Sequence, residues 1–401
     1  MDLDPDPVDE AFRAEVRAGL ASILPGQPLP SVNTEEGFAA HREFERKLAD
    51  ARLAVVSWPE RYGGRDAPLS QWLVFEEEYY RAGGPVRVGQ NGLFLLAPTL
   101  FAHGSEEQLD RILPPMATAE QVWAQAWSEP GAGSDLAAIR SSAVSTEEGW
   151  LLSGQKTWSS RAAFADRAFG LFRSDPAAER HRGLTYLMFD LRAPGVTVRP
   201  IAQLDGEPGF AEIFLDEVFV PDADVIGEPG AGWKVAMSTA SHERGLSLRS
   251  PGRFMAATDR LVRLWQSGSD RPREGRQAHG ERIAPEAPQA NRAIAGREAI
   301  GDRVADAWIA ARAYQLHTHG TVASLADGGT LGAESSLGKV FWSELDVSLC
   351  ETALDLLGPH AELADRYWAD SYLFALAGPI YAGTNEIQRS VIAERLLGLP
   401  R

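Results

Sequence analysis

The chain has 401 residues, 44% of them hydrophobic and 24% charged, an ordinary globular composition with enough length for two or three domains around a large core. A formal net charge of −17 excludes nonspecific nucleic-acid binding as a main role, since that needs clustered Lys and Arg to displace counterions. No apolar run reaches the length of a membrane helix, and the acidic start over residues 1–10 is unlike a basic signal-peptide start, so the expected location is the cytoplasm. Cys350 is the single cysteine, which rules out an intrachain disulfide and a cysteine-rich metal site. It lies in a helical-looking run and reads as a core thiol. The eight histidines show no metal spacing, and no metal is expected.

Residues 1–121 read as a helical domain. Apolar residues recur at three and four spacing over 38–53 and 69–81, with Trp58-Pro59 and Gly63-Gly64 breaking the pattern between them. The acidic run Glu76-Glu77-Glu78 reads as a solvated helix face. An apolar helix follows over 92–103, then a further helix expected to end near Leu113 because Pro114-Pro115 cannot continue it.

Over 122–226 the pattern changes to alternation and β-branched residues at 150–152, 168–172, 184–191, 196–201 and 211–220, punctuated by Gly, Pro and Asp. That predicts a small β-barrel-like domain inserted between two helical ones. Within it, residues 125–136 read Q-A-W-S-E-P-G-A-G-S-D-L: a strand-like run breaks at Ser128-Glu129-Pro130 into Gly131-Ala132-Gly133, where backbone can turn sharply and approach a ligand. Ser134 and Asp135 then offer oxygens and N–H groups that could hold a ribose or pyrophosphate. Such segments are also found as plain turns.

Residues 227–401 read as a helical bundle. G-E-P-G-A-G over 227–232 lacks the third glycine and βαβ setting of a dinucleotide loop and is a linker into a long helix over 233–266. Residues 267–301, rich in Gly, Pro, Arg, Glu and Gln, read as a mobile surface insertion. Helices follow at 302–326, 333–357, 367–377 and 385–396, a spacing that fits long antiparallel helices in a four-helix bundle. Ile387, Val391, Ile392 and Leu396 would form the buried stripe of the last one.

Two further segments accompany the 125–136 run: G-Q-K-T-W-S-S over 154–160 and I-Y-A-G-T-N-E-I-Q-R over 380–389. Together the three resemble the acyl-CoA dehydrogenase family, matching its E-P-x-A-G-S-D signature, its G-x-K-x-W flavin strand and its I-Y-x-G-T-x-x-I-Q-R helix start. The resemblance covers nearly the whole chain from Trp58 onward. It implies a mainly helical α+β fold in three parts, with FAD as cofactor. It also implies dehydrogenation of an acyl-CoA thioester to the 2-enoyl-CoA, with electrons passing to an electron-transfer flavoprotein or similar acceptor. By resemblance, Trp127, Ser128, Trp158 and Ser160 surround the flavin ring, Ser134 lies near the pantetheine and pyrophosphate, Thr384 and Glu386 meet the cofactor, and Ser241 and Arg244 join Ser134 at the substrate. Trp158 read alone is either an apolar wall for a ring or a core aromatic. Thr384, at a plausible helix N-terminus, suits either a phosphate or an ordinary cap.

The chain departs from the family in two places. The residue that supplies the base in much of the family is here Ala382, which cannot take a proton. A second family location, immediately before an Arg on the long helix after the β-domain, matches Glu243-Arg244, so Glu243 is the candidate base, because general-base catalysis requires reach rather than a fixed sequence position. His242 matches no family position. The family's R-x-x-F-G and Q-x-x-G-G segments, which hold the far end of the cofactor across a subunit boundary, have no counterpart: the second falls on Asp355-Leu356-Leu357-Gly358-Pro359. An Asp near a pyrophosphate repels it. The expected partner is a paralogous subunit in a two-plus-two heterotetramer; the alternative is a homo-oligomer in which Arg271, Arg273, Arg276 and Arg282 fold over the pyrophosphate. These departures resemble bacterial members acting on bulky or branched acyl-CoAs, steroid side chains among them. A flavin oxidase or monooxygenase on the same fold, and a noncatalytic subunit, remain as alternatives.

Overall fold

The computed structural model describes residues 6–244, 250–270, 287–329, 332–358, 360–363 and 366–400, with backbone alone at 242–244, 268–270, 287–297, 362–363 and 366. It divides into two compact units, one of residues up to 249 with 322–335, the other of 250–321 with 336–401.

The first unit opens with α1 (Pro7–Ile23), α2 (Glu35–Asp50), α3 (Leu69–Arg81), α4 (Ala97–His103) and α5 (Glu106–Ala117). Each start has a local cause. The Asp6 side chain accepts from the Val8 N–H with Pro7 in the first turn, Thr34 accepts from the Gly37 N–H, and Ser105 with Gln108 forms a reciprocal capping box. Phe12, Val16 and Leu20 repeat every four residues on α1 and are buried. A π-helical turn, Gly92–Leu96, leads into α4.

The prolines do not end α5, which continues through Pro114 and Pro115 to Ala117, because Ile112, Leu113 and Met116 are buried at its contact face and packing overrides the lost backbone bonds. Glu76, Glu77 and Glu78 are not a solvated face: all three are buried. Glu78 accepts from Arg13 Nη1, Arg17 Nε and Arg81 Nη1, each at 2.8 Å, so arginines of α1 neutralise what α3 buries.

The strands are β1 (Trp123–Ala126), β2 (Ser142–Ser145), β3 (Gly149–Ser160), β4 (Arg167–Arg173), β5 (Leu184–Asp190), β6 (Val196–Ile201), β7 (Phe210–Pro221) and β8 (Val225–Ile226). They form one sheet in the order β6-β7-β3-β2-β4-β5-β8, with β1 parallel to β4. A single parallel residue pair, Ser142 with Arg173, joins the antiparallel β6-β7-β3-β2 set to the rest, so the sheet folds around an interior. Alternation along β4 and β5 explains why both read as continuous apolar runs. Ala168, Phe172, Leu187 and Phe189 fill that interior, whereas Phe169, Leu171, Leu184, Tyr186 and Met188 join the core of the N-terminal helices. Val235 and Ala236 of α6 (Gly232–Arg244) belong to the latter core.

The second unit contains α7 (Pro251–Asp270), most of α8 (Ala287–Ala326), nearly all of α9 (Ser335–Leu357), then α10 (His360–Leu363), α11 (Arg366–Ala375) and α12 (Asn385–Val391), which runs on into a π-helical turn, Ile392–Leu396. Its core gathers Phe254, Leu261, Tyr314, Trp342, Leu349, Cys350 and Trp368. Burial pushes the Cys350 thiol up to about 12, as befits an unreactive core cysteine. The long helix expected over 233–266 is two: α6, then α7 headed by Pro251, with 245–249 outside the described residues. Both ends of the expected insertion at 267–301 are helical, in α7 and α8, while 271–286, including Arg271, Arg273, Arg276 and Arg282, lie outside the described residues. The expected apolar stripe of α12 is not its buried face. Ile387 is 39% exposed, and the buried residues are Asn385 and Gln388.

The three arginines hold the Glu78 carboxyl below its ordinary value against the opposing effect of burial. That stability is present above the usual carboxylate range and is lost as pH falls through the lowered value, because the unfolded chain then takes up the proton first. Glu78→Gln should cost on the order of 2 kcal/mol near neutrality and flatten the acid limb of stability against pH, read by urea unfolding; an unchanged limb would contradict this.

Candidate functional site

The segment after β1 is shaped by backbone bonding. Glu129 and Ala132 exchange both N–H···O bonds at 3.0 Å, closing a tight turn over Pro130-Gly131. A Cβ at Gly131 or Gly133 would meet nothing within 4 Å, so packing does not require these glycines and the loop leaves open space beside its backbone. Ser134 and Asp135 are exposed, and Asp135 pairs with Arg180 at 2.7 Å.

Glu129 itself is buried. Its carboxylate accepts from Lys156 Nζ at 2.9 Å and from the backbone N–H groups of Arg140 and Ser141 at 2.7 and 2.9 Å. Lys156 is fully buried on β3 and also donates to the carbonyls of Leu171 at 2.8 Å and Trp127 at 3.3 Å. Burial lowers the ammonium to about 8, with Glu129 opposing the shift; the carboxyl is held below its ordinary range because Lys156 and the N–H donors outweigh its own burial. One further bond, Thr157 N–H to the Ser128 carbonyl at 2.8 Å, completes the link between the 125–136 and 154–160 segments.

That link fixes the backbone next to Trp158. β3 shifts register between Lys156 and Ser159, and Trp158 takes a left-handed φ of 59°. Its side chain is 60% exposed, edge-on to Phe210 with ring centroids 6.0 Å apart. It is therefore no core aromatic: strain is stored to present an indole outward. Ser128 and Ser160 are half-buried on the same two segments, and Trp127 is half-buried with its Nε1 donating to Tyr186 Oη at 3.0 Å. Gln125 Nε2 and Ser159 Oγ, beside them, are buried without a hydrogen-bond partner. An outward indole, an open glycine turn and polar atoms awaiting partners fit a flat heteroaromatic cofactor with a polar tail.

In the second unit, the Thr384 hydroxyl caps α12 by accepting from Ile387 N–H at 3.3 Å. Ala382 and Gly383 before it both have left-handed φ, 55° and 80°. Gln388, fully buried, donates to the Ala382 carbonyl at 2.8 Å, and Asn385 accepts from buried Lys339 at 2.7 Å. Glu386 is exposed, its carboxyl lowered first by its own backbone N–H and then by Thr384. Asp355 on α9 is exposed and paired with Arg303 at 2.5 Å, so its charge is partly answered within the chain.

On α6, Ser241 is exposed and returns its hydroxyl to the Met237 carbonyl at 3.0 Å. Glu243 and Arg244 occupy the last described turn of α6, and their side chains, like that of His242, lie outside the described residues. Sequence alone assigns no role to Glu129, Lys156, Tyr186 or Gln388. For the first pair a signal existed, an acid and a base in two short motifs; for Tyr186 there was none. Among the described residues no group of side chains gathers as a metal site, and no helix is long and apolar enough to cross a membrane.

Comparison with known proteins gives a consistent picture. Models of the acyl-CoA dehydrogenase N-terminal, middle and C-terminal domains match residues 7–120, 124–218 and 281–397. The chain is 36% identical over 405 residues to the acyl-CoA dehydrogenase IpdE1 of Mycobacterium tuberculosis, covering 98% of each. Among solved structures it resembles the ChsE4-ChsE5 complex of Mycobacterium tuberculosis, with a TM-score of 0.81 at 27% identity over the whole of both chains. It likewise resembles the Tcur3481-Tcur3483 steroid acyl-CoA dehydrogenase, at 0.79 and 25% over the whole of both.

Breaking the buried pair from one side should be costly. Glu129→Ala leaves an uncompensated ammonium and is expected to lose about 3–5 kcal/mol, whereas Glu129→Gln with Lys156→Met should recover much of it in chemical unfolding; equal losses in both would contradict the pairing.

Proposed function

The chain belongs to the acyl-CoA dehydrogenase family, and on that premise we propose that this FAD-dependent oxidoreductase converts a bulky or branched acyl-CoA to its 2-enoyl-CoA, with Glu243 as the base that takes the α-proton. The observation that carries the reading is the outward Trp158 indole, held in a left-handed bulge by the Lys156–Glu129 and Thr157–Ser128 links. FAD bound here supplies the acceptor for the β-hydride. Trp158 and Trp127 would offer apolar walls to its ring, Ser128 and Ser160 hydrogen bonds to its polar edge, Ser134 a contact to the pyrophosphate and pantetheine, and Thr384 and Glu386 contacts to the remainder. Ser241 and Arg244 would orient the thioester. Ala382 supports a base elsewhere, since a methyl group at that position cannot accept a proton.

Electrons would pass to an electron-transfer flavoprotein. The bulky acyl class is favoured by likeness to a steroid acyl-CoA dehydrogenase, and a heteromeric assembly by likeness to complexes whose names join two chains. Missing far-end cofactor motifs support the same assembly, although the Arg303–Asp355 pair weakens the repulsion that Asp355 would otherwise exert.

Two experiments test this. Glu243→Gln should keep FAD and lose flavin reduction by acyl-CoA by ~10²-fold or more, the usual loss for a general base; full reduction would move the base elsewhere. Expressed alone, the chain should be deficient in FAD and gain it on co-expression with a paralogue; a homomer with full flavin content and turnover would rule the partner out.

A further inference from the structure

A chain of hydrogen bonds leads from Trp127 into the core of the first unit. Trp127 Nε1 donates to Tyr186 Oη at 3.0 Å, Tyr186 Oη lies 3.2 Å from Thr239 Oγ1, and Thr239 donates to the Val235 carbonyl at 3.1 Å. Thr99 Oγ1, at 2.8 Å from Thr239, joins from α4. Tyr186, Thr239 and Thr99 are all fully buried. An indole N–H only donates, so Tyr186 accepts from Trp127; among the hydroxyls of Tyr186, Thr239 and Thr99 either partner of a pair can donate, with the Val235 carbonyl within reach of Thr239 and the Leu95 carbonyl 2.7 Å from Thr99. The Trp127 ring also meets the Tyr186 ring edge-on, at 6.2 Å between centroids and 84° between planes.

Three hydroxyls in an otherwise apolar cluster are costly unless mutually satisfied, and a phenylalanine would fill the Tyr186 position as well on packing grounds. Thr239 stands one helical turn before Glu243 on α6. We propose that Tyr186 is a positioning residue: its phenol sets the Trp127 indole against the flavin and ties that ring to the turn of α6 preceding Glu243. The inference rests on the reading that Trp127 faces the flavin.

The test compares FAD-loaded wild type with Tyr186→Phe, Trp127→Phe and the double variant, and with Thr239→Val and Thr239→Ser. It reads the FAD dissociation constant, the visible circular dichroism of the flavin, the rate of flavin reduction and the thermal midpoint. Tyr186→Phe and Trp127→Phe should each weaken FAD on the order of tenfold, the effect of one buried hydrogen bond, and alter the flavin dichroism, and the double variant should add little to either. Thr239→Val should follow Tyr186→Phe, and Thr239→Ser, which keeps the hydroxyl, should match wild type. If Tyr186→Phe does not fold, the Thr239 pair gives the same discrimination. Additive effects, or a shift of the thermal midpoint with flavin binding, dichroism and reduction unchanged in Tyr186→Phe and Thr239→Val, overturn the proposal alone. A Trp127→Phe variant with unaltered flavin overturns the placing of Trp127 and the proposal with it.

Discussion

The buried Lys156–Glu129 ion pair is the constraint on which the candidate site depends. Taking two charges out of water costs several kcal/mol per ion, and the attraction between them repays this only when the remaining hydrogen-bonding capacity is filled. Here it is filled: Glu129 has two backbone donors besides the ammonium, and Lys156 has two carbonyl acceptors besides the carboxylate. The pair is therefore less a source of stability than of register. It permits one relation between the turn after β1 and the strand β3, and that relation leaves Trp158 exposed in a strained conformation beside an open glycine turn.

The scaffold beneath this link is stiff because β4 and β5 are shared between two cores. Alternate side chains enter the interior of the sheet and the helical core of the same unit, so neither strand can slip by one residue without exchanging its contacts on both faces. The α6 helix adds Val235 and Ala236 to the helical core and Thr239 to the hydroxyl chain. Its last described turn, where Glu243 lies, follows directly from that anchored stretch.

Much of the fold was legible because it rests on local periodicity. The helix over Leu69–Arg81 and the strand over Val196–Ile201 have the bounds their apolar spacing predicts. The misreadings share a different origin, in partners far away in sequence. Glu77 and Glu78 look like part of a solvated face until arginines from α1, some sixty residues earlier, arrive over them. Pro114 and Pro115 read as a stop until the burial of Met116 beyond them is known. On α12, Ile387 outranks Asn385 and Gln388 in any hydropathy argument, yet the polar pair is buried because it holds Lys339 and the backbone of the left-handed loop at Ala382. The left-handed backbone that turns Trp158 outward was not legible, since nothing in T-W-S-S calls for it. Tyr186 was invisible for the same reason: its role comes from what it touches.

With FAD bound, a chain of the acyl-CoA dehydrogenase family withdraws two hydrogens from an acyl-CoA. The most direct test of this is anaerobic titration of the FAD-loaded protein, with its partner subunit where one is needed for flavin retention, against acyl-CoAs of varied length and branching. The expected result is bleaching of the visible flavin absorption by a bulky or branched acyl-CoA, formation of the matching 2-enoyl-CoA, and slow reoxidation when air is admitted. A flavin left oxidised by every acyl-CoA, or one that air reoxidises at the rate of turnover, would contradict it.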